Sequence, residues 1–433
     1  MSTFVIKGGN RLNGTIDVSS GKNSPIYLLC ASLAIRGKTT LFNVSRVDEV
    51  DKILQILRSI GVVCEWKDKH TLSLDASNDL DLKKIDKPAC LATRASLLLF
   101  GALAAREKSY ILYRSGGCKL GERTVRPHVF ALEKLGVQVK TSVGKYEIKN
   151  SPLHSAKIVM YESSDTATAN AILAAVLAPG ITKIVMASAN YMVQSMCYYL
   201  VSAGAKIDGL GTTTLTITGI KKLHDVKSYT ILPDPVDAMT WISLAITTHS
   251  PLTVAGCPID FLELELEKLR VMGQKFELKN ERIFSSGGFT LADIYIIPSR
   301  LSALPDKIYG RPFPGLNIDN LPLFIPILTT AKGRTLVHDW VYENRAIYSV
   351  DFQKLGGKIM LLDPHRILVE GPTSLKGTEI ICPPAIRPAV ALLIAACAAK
   401  GMSILRNVAP IERGYDNLLP RLKKVGVHIE RKD

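Results

Sequence analysis

A few short segments hold the residues whose types and spacing suit work on an anion. In Val18-Ser-Ser-Gly-Lys-Asn23 a Gly-Lys pair stands between a strand and an apolar helix running from Ile26 onward. That places the Lys22 ammonium near a helix N-terminus, where free N–H groups and the helix dipole both favour negative charge. The GxxxxGK[ST] spacing of a P-loop is absent, and a plain surface lysine is the alternative. Ser115-Gly-Gly-Cys-Lys-Leu-Gly-Glu-Arg123 is a glycine-rich loop, with Cys118 beside Lys119 and near Arg123. Cationic neighbours lower a thiol's pKa and make it reactive. Arg94 and Arg387 open apolar helices, Arg345 follows Tyr342-Glu-Asn344, and Arg413 sits in Ile411-Glu-Arg-Gly-Tyr415. An arginine at the mouth of an apolar helix needs a carboxylate or phosphate partner. Glu343 and Glu412 are the internal partners that the sequence offers. Asp319, in Pro314-Gly-Leu-Asn-Ile-Asp-Asn320, precedes another apolar helix and suits either an N-cap or a general base.

The scaffold that positions these residues is repeated. Six segments read as amphipathic helix, glycine, short strand. Their glycines are Gly61, Gly136, Gly204, Gly273, Gly356 and Gly426, at intervals of about seventy residues. Each stands where a helix takes a left-handed C-terminal cap. The alternation that follows, as in Val137-Gln-Val-Lys140, predicts a strand. Upstream lies a nearly all-apolar helix, as in 95–105, 169–178 and 389–399, which must be buried on every side. The expected fold is therefore α/β, with helices inside and sheets outside, the six units grouped three and three. The boundary is expected near Leu232-Pro-Asp-Pro235, with a ligand cleft between the halves.

Composition narrows the partner. Lys and Arg number 54 against 39 Asp and Glu, a net charge of +15 that favours an anionic partner. Aromatics are only 6%, and no dense basic run is interleaved with them, which argues against nucleic acid. No apolar run is long enough to span a membrane, and the first ten residues lack a secretory signal's pattern. The eight cysteines are scattered, with no CxxC pair, so neither a zinc site nor a disulfide framework is expected. A reducing, cytoplasmic location follows.

Taken together, Ile6-Lys-Gly-Gly9, Gly21-Lys-Asn23, Arg94-Ala-Ser96, Gly116-Gly-Cys118, Asp319, Glu343-Asn-Arg345, Arg387 and Arg413-Gly-Tyr415 resemble the enolpyruvyl transferase family along essentially the whole chain. The likeness is to its members that act on UDP-N-acetylglucosamine. The shikimate-pathway branch is less similar, because its machinery lacks the loop cysteine and its Gly-Asn-Ala-Gly-Thr stretch has no counterpart near Arg94. The resemblance implies two inside-out α/β barrel lobes of three repeats each, residues 22–232 forming one and 1–21 plus 233–433 the other, with the active site between them. It implies transfer of the enolpyruvyl group of phosphoenolpyruvate to a hydroxyl of UDP-N-acetylglucosamine with release of phosphate, the first committed step of peptidoglycan precursor synthesis. Lys22, Arg123, Arg387 and Arg413 would bind phosphoenolpyruvate. Cys118 would protonate its methylene carbon, could form a thioketal there, and would be the position that fosfomycin alkylates. Asp319 would be the base near the acceptor hydroxyl, with Lys22 and Arg413 completing the catalytic set. The acceptor would meet Asn23, Arg94, Arg123, Thr124, Val125, Arg126, Ser163, Ser164, Asp165, Asp319, Val341 and Arg345. No metal or organic cofactor is implied, and the cysteine loop resembles a closing lid.

The departures lie on the acceptor side. Arg126 stands where the family has an aspartate, Glu162 where it has a lysine, and Asp165 where it has an apolar residue. Two carboxylates beside a diphosphate repel it unless Arg126 or Lys119 compensates. Two further readings stay open: transfer to a different nucleotide acceptor, such as uridine monophosphate in nucleoside natural-product assembly, and a non-catalytic anion-binding relative.

Overall fold

The computed structural model describes residues 2–114, 116 and 124–432. Among them the strands form six small sheets, five of four strands and one of three. Three antiparallel strands recur in each. In the first, Lys38–Phe42 pairs with Leu72–Asp75, which pairs with Val63–Trp66.

In the five larger sheets a fourth strand adds parallel to the first of these three. In three of them it is the strand just before the unit's own buried helix. Lys157–Val159 joins Ile181–Val185, Ile308–Tyr309 joins Gly333–His338, and Glu379–Ile381 joins Gly401–Arg406. In the other two sheets these strands are exchanged. Gly14–Asp17 precedes the helix Asn23–Ile35 but pairs with Leu252–Pro258, beyond the helix Pro235–Thr247. Val226–Thr230 precedes Pro235–Thr247 but pairs with Lys38–Phe42. The exchange brings segments 17–21 and 232–237 together. Asp234 N–H donates to Ser19 O at 2.7 Å, and Ser19 N–H to Asp237 Oδ2 at 2.9 Å. Arg421 clamps the crossing, reaching Asp237 Oδ2 at 2.7 Å and Asp17 O at 2.7 Å.

Apolar helices fill the inside because they have no polar face to give to water. Every residue of Pro235–Thr247 and of Leu321–Leu328 is buried, as are all but the first residue of Asn23–Ile35. Pro235–Thr247, Leu321–Leu328 and Ile386–Ala398 pack on one another. The buried side chains form two cores. One runs from Ile26 to Leu232 with Phe261, Phe289 and Leu291 added, and the other joins residues 4–18 to residues 236–429. All seven described cysteines are buried and free.

The six glycines behave as caps, with φ between +86° at Gly356 and +103° at Gly61. Two elements differ from expectation. The apolar helix expected over 95–105 is a 3-10 turn, Arg94–Leu98, followed by a short α segment, Leu99–Ala102. The cause is Asn170. Its Oδ1 accepts from Gly101 N–H at 2.6 Å and its Nδ2 donates to Leu97 O at 2.9 Å, so the side chain takes both ends of an i→i−4 bond. Only glycine fits this clamp, since a Cβ at 101 would meet Asn170 O at 2.3 Å. In the fifth unit the amphipathic helix before Gly356 is a 3-10 helix, Arg345–Leu355, and its first residue is tied down by ion pairs described below.

Candidate active site

Gly21 and Lys22 lead into the helix Asn23–Ile35. Gly21 has φ +58°, and a Cβ there would fall 1.9 Å from Asp234 Oδ2. The chain can enter the helix at this angle only with glycine. Lys22 is half-buried, and its charge neighbours are Glu49, Arg387, Asp319 and Arg413. Burial lowers its pKa, Glu49 and Asp319 oppose the fall, and the two arginines add to it.

Asp319 is the hub. It does not cap the helix that starts at Leu321: the N-cap position is Asn320, whose side chain makes no capping bond. Its Oδ2 accepts from Arg387 Nε at 3.3 Å, and its Oδ1 lies 3.7 Å from Arg345 Nη1. Burial pushes the Asp319 carboxyl up, but Arg387, Arg345 and Lys22 together outweigh it and hold the pKa below its usual value. The two arginines are anchored from behind. Arg345, 2% exposed, donates to Asp339 Oδ2 at 2.5 Å, Asp339 Oδ1 at 2.9 Å and Ile318 O at 2.7 Å. Its partner is thus Asp339, and Glu343 is exposed. Arg387 donates to Tyr415 OH at 2.9 Å, and that hydroxyl lies 2.8 Å from Thr240 Oγ1.

Arg413 pairs across the two cores with Glu49, Nε to Oε1 at 3.5 Å, while Glu412 pairs with Arg431 instead. Glu49 Oε2 also accepts from Thr93 Oγ1 at 2.6 Å. Arg413 Nε is buried, and its only tie among the described residues is the ion pair with Glu49, with no hydrogen bond made. A second pair across the cores, His70 Nδ1 to Asp416 Oδ2 at 3.5 Å, lies close by in sequence.

The acceptor-side residues are more spread out. Asn23 Nδ2 donates to Tyr191 OH at 2.9 Å, and Arg94 Nη2 to Thr124 O at 3.0 Å. Asp165 accepts from Ser188 Oγ at 2.5 Å and Asn190 Nδ2 at 3.2 Å. Burial nevertheless raises its pKa, and nearby Asp319 adds to the rise. Compensation for this carboxylate comes from neutral donors: Arg126 is exposed, its N–H bonded to Thr124 Oγ1 at 3.1 Å, and Glu162 is exposed too. Ser164 caps the helix Asp165–Ala175 by accepting from Ala167 N–H at 3.5 Å, and Val125 and Val341 are half-buried. A cavity of about 140 Å³ lies between the cores, its wall including Ser163, Asp165, Asn190, Phe261, Arg311 and Asn317. Cys118, Lys119 and Arg123 fall outside the described residues.

The structure therefore gathers Lys22, Asp319, Arg345 and Arg387, with Arg413 beside Lys22, while Asn23 bonds to Tyr191, Arg94 to Thr124, and Asp165 to Ser188 and Asn190. Sequence reasoning missed Glu49, Asp339 and Asp234. Glu49 had a signal. It shares a helix face with Ile53 and Ile56, all buried, and an acid on an apolar stripe needs a partner. Among the described residues no His, Cys, Asp or Glu group could hold a metal ion. No described helix is long and apolar enough to cross a membrane. Three cations around Asp319, with Arg413 beside Lys22, can bind a multiply charged small anion and steady charge as it develops on a leaving group.

Known proteins resemble this chain in sequence and fold. The family model for EPSP synthase (3-phosphoshikimate 1-carboxyvinyltransferase) matches residues 6–422. A UDP-N-acetylglucosamine 1-carboxyvinyltransferase of Bacteroides thetaiotaomicron is 34% identical over the whole of both chains, and one of Treponema denticola is also 34% identical over the whole of both. Among solved structures, the enolpyruvyl transferase NikO from Streptomyces tendae superposes with a TM-score of 0.87 at 24% identity, covering 100% of this chain and 99% of that one. An EPSP synthase from Acinetobacter baumannii gives 0.75 at 20% identity, covering both chains fully. The chain belongs to the EPSP synthase (3-phosphoshikimate 1-carboxyvinyltransferase) family of enolpyruvyl transferases.

Proposed function

We propose that the chain transfers the enolpyruvyl group of phosphoenolpyruvate to a hydroxyl of UDP-N-acetylglucosamine and releases phosphate. The observation that carries this reading is the convergence of Lys22, Arg345 and Arg387 on Asp319, with Arg413 and Glu49 beside Lys22. The substrate's phosphate and carboxylate are met by Lys22, Arg387 and Arg413, with Arg123 joining from the loop. Asp319, held ionised by its arginines, accepts the proton of the attacking hydroxyl. Cys118 gives a proton to the methylene carbon, the hydroxyl oxygen bonds to C2, and the C2–O bond to phosphate breaks. The product regains its double bond when a methyl proton leaves. No metal or cofactor takes part. Asn23, Arg94, Thr124, Val125, Ser163, Ser164 and Val341 contribute to the acceptor site. The two cores are the basis for two inside-out barrel lobes, 22–232 and 1–21 plus 233–433, with the substrates between them. Curated relatives named for UDP-N-acetylglucosamine, matched over the full chain, support the acceptor.

One observation favours a second reading, a different uridine nucleotide as acceptor. Asp165 sets a carboxylate in the cavity wall, Glu162 lies three residues before it in the chain, and Arg126 is an exposed cation with no acidic partner among the described residues. Phosphate release from phosphoenolpyruvate across a panel of UDP-sugars and uridine nucleotides tests both. The first reading expects turnover with UDP-N-acetylglucosamine at least about tenfold above any other acceptor, a preference of about 1.4 kcal/mol. Turnover with uridine monophosphate alone overturns it.

A further inference from the structure

Glu265 is a buried carboxylate that the reaction does not use. It projects from the helix Glu263–Val271, is 2% exposed, and forms part of the cavity wall. Its Oε1 accepts two hydrogen bonds, from Asn317 N–H at 3.0 Å and from Asn320 Nδ2 at 2.8 Å. These two residues flank Asp319. Asn317 continues the chain of bonds, because its Oδ1 accepts from Asp319 N–H at 2.9 Å. Asn320 N–H closes the turn on Asn317 O at 2.9 Å. Among the described residues the one other side-chain tie on the turn's backbone is Arg345 to Ile318 O, and that arginine is itself bound to Asp339.

We infer that Glu265 is a positioning residue for Asp319: one carboxylate oxygen fixes both ends of the 317–320 turn, and so fixes where the Asp319 carboxylate meets the acceptor hydroxyl and Arg387. The inference rests on the reading of Asp319 as the base. Arg345 holds the middle of the turn at Ile318 O, and Glu265 holds its two ends. Without an acceptor at 265, two donors are left unpaired, one of them on a fully buried side chain, and the turn must shift to rehydrate them. A shift of about 1 Å at a reacting group costs up to about 10²-fold in rate. Burial pushes the Glu265 carboxyl up, against its two donors, but either protonation state keeps an oxygen available to accept.

The test uses the full-length enzyme. Glu265→Leu keeps size and removes the acceptor, while Glu265→Gln keeps the accepting oxygen. Glu265→Leu is expected to lower kcat by about 10- to 100-fold with KM for phosphoenolpyruvate changed less than about threefold, and Glu265→Gln to restore most of that loss. In an Asp319→Asn background Glu265→Leu should add less than about a twofold further loss, since the group it positions is gone. Equal losses in the Leu and Gln variants, or full additivity with Asp319→Asn, overturn the inference. If Glu265→Leu does not fold, Asn320→Ala removes one of the two bonds from the other side and should lower kcat with the same KM pattern; an unchanged kcat there overturns it as well. Should Asp319→Asn itself retain full activity, the reading of Asp319 as base fails, an outcome separate from any result at Glu265.

Discussion

At the scale of single residues, the site is a balance of buried charges rather than a set of isolated groups. Asp234 shows it most sharply. It is 2% exposed, caps the helix Pro235–Thr247 by accepting from Val236 N–H at 2.8 Å, and lies against Gly21. Burial pushes its carboxyl up to about 6, while Arg387 and the Val236 bond pull the other way. An acid whose pKa is raised on folding binds more protons folded than unfolded. It therefore costs stability as pH climbs from the unfolded value near 4 through the folded value near 6, by roughly 3 kcal/mol in all. Asp234→Asn keeps the cap and cannot ionise. The variant minus wild-type difference in unfolding free energy, from urea curves at pH 4.5 and pH 7, should thus be more favourable to the variant at pH 7. An equal difference at both pH values would show that the carboxyl is not strained by burial. Asp319 has the opposite sign: its lowered pKa supplies stability above about pH 4 that is lost as pH falls further.

At the scale of elements, glycines and one asparagine decide where the side chains point. Gly21→Ala would place a methyl 1.9 Å from Asp234 Oδ2 at a left-handed φ. A destabilisation of about 1–3 kcal/mol is expected from the backbone alone, together with a fall in kcat/KM for phosphoenolpyruvate as Lys22 is carried away. Urea unfolding and steady-state kinetics check the two parts, and a stable variant with unchanged kcat/KM would remove Gly21 from the account. The six glycine caps were legible in the sequence because a helix end facing a strand has few other solutions. The break in the helix after Arg94 was not, since it depends on Asn170, some seventy residues away, reaching across to Leu97 and Gly101. Likewise the arginines at 345, 387 and 413 declared their need for partners by type and position. Asp339 lies six residues before Arg345 in the same unit, while Asp319 and Glu49 come from other units than Arg387 and Arg413, so neighbouring acids at 343 and 412 misled. Long-range pairing carries no local pattern. The cavity wall was least legible for the same reason, its residues being drawn from four separate stretches of chain, 163–165, 190, 260–265 and 311–318.

At the scale of the whole molecule, the net charge of +15 acts on the approach of substrate. Clustered cations in a cleft raise the local concentration of a small anion, and salt removes that advantage as the screening length shrinks from about 10 Å at about 0.1 M to about 3 Å at 1 M. For phosphoenolpyruvate, kcat/KM is expected to fall severalfold over that range with a smaller change in kcat. A flat profile would mean that the charges beyond Lys22, Arg345, Arg387 and Arg413 do no steering.

The exchange of Gly14–Asp17 and Val226–Thr230 has a consequence for how the molecule can come apart. It has the geometry of domain swapping, in which partners trade one equivalent element, but here both partners belong to a single chain. The first and fourth units each complete a sheet with the strand that precedes the other unit's buried helix. A chain cut just before Val226 would therefore leave each piece holding a strand of the other's sheet. A fold made of two similar halves is in this way held to one stoichiometry, one half to one half, and a three-unit half standing alone would present an open sheet edge that only another such half could fill.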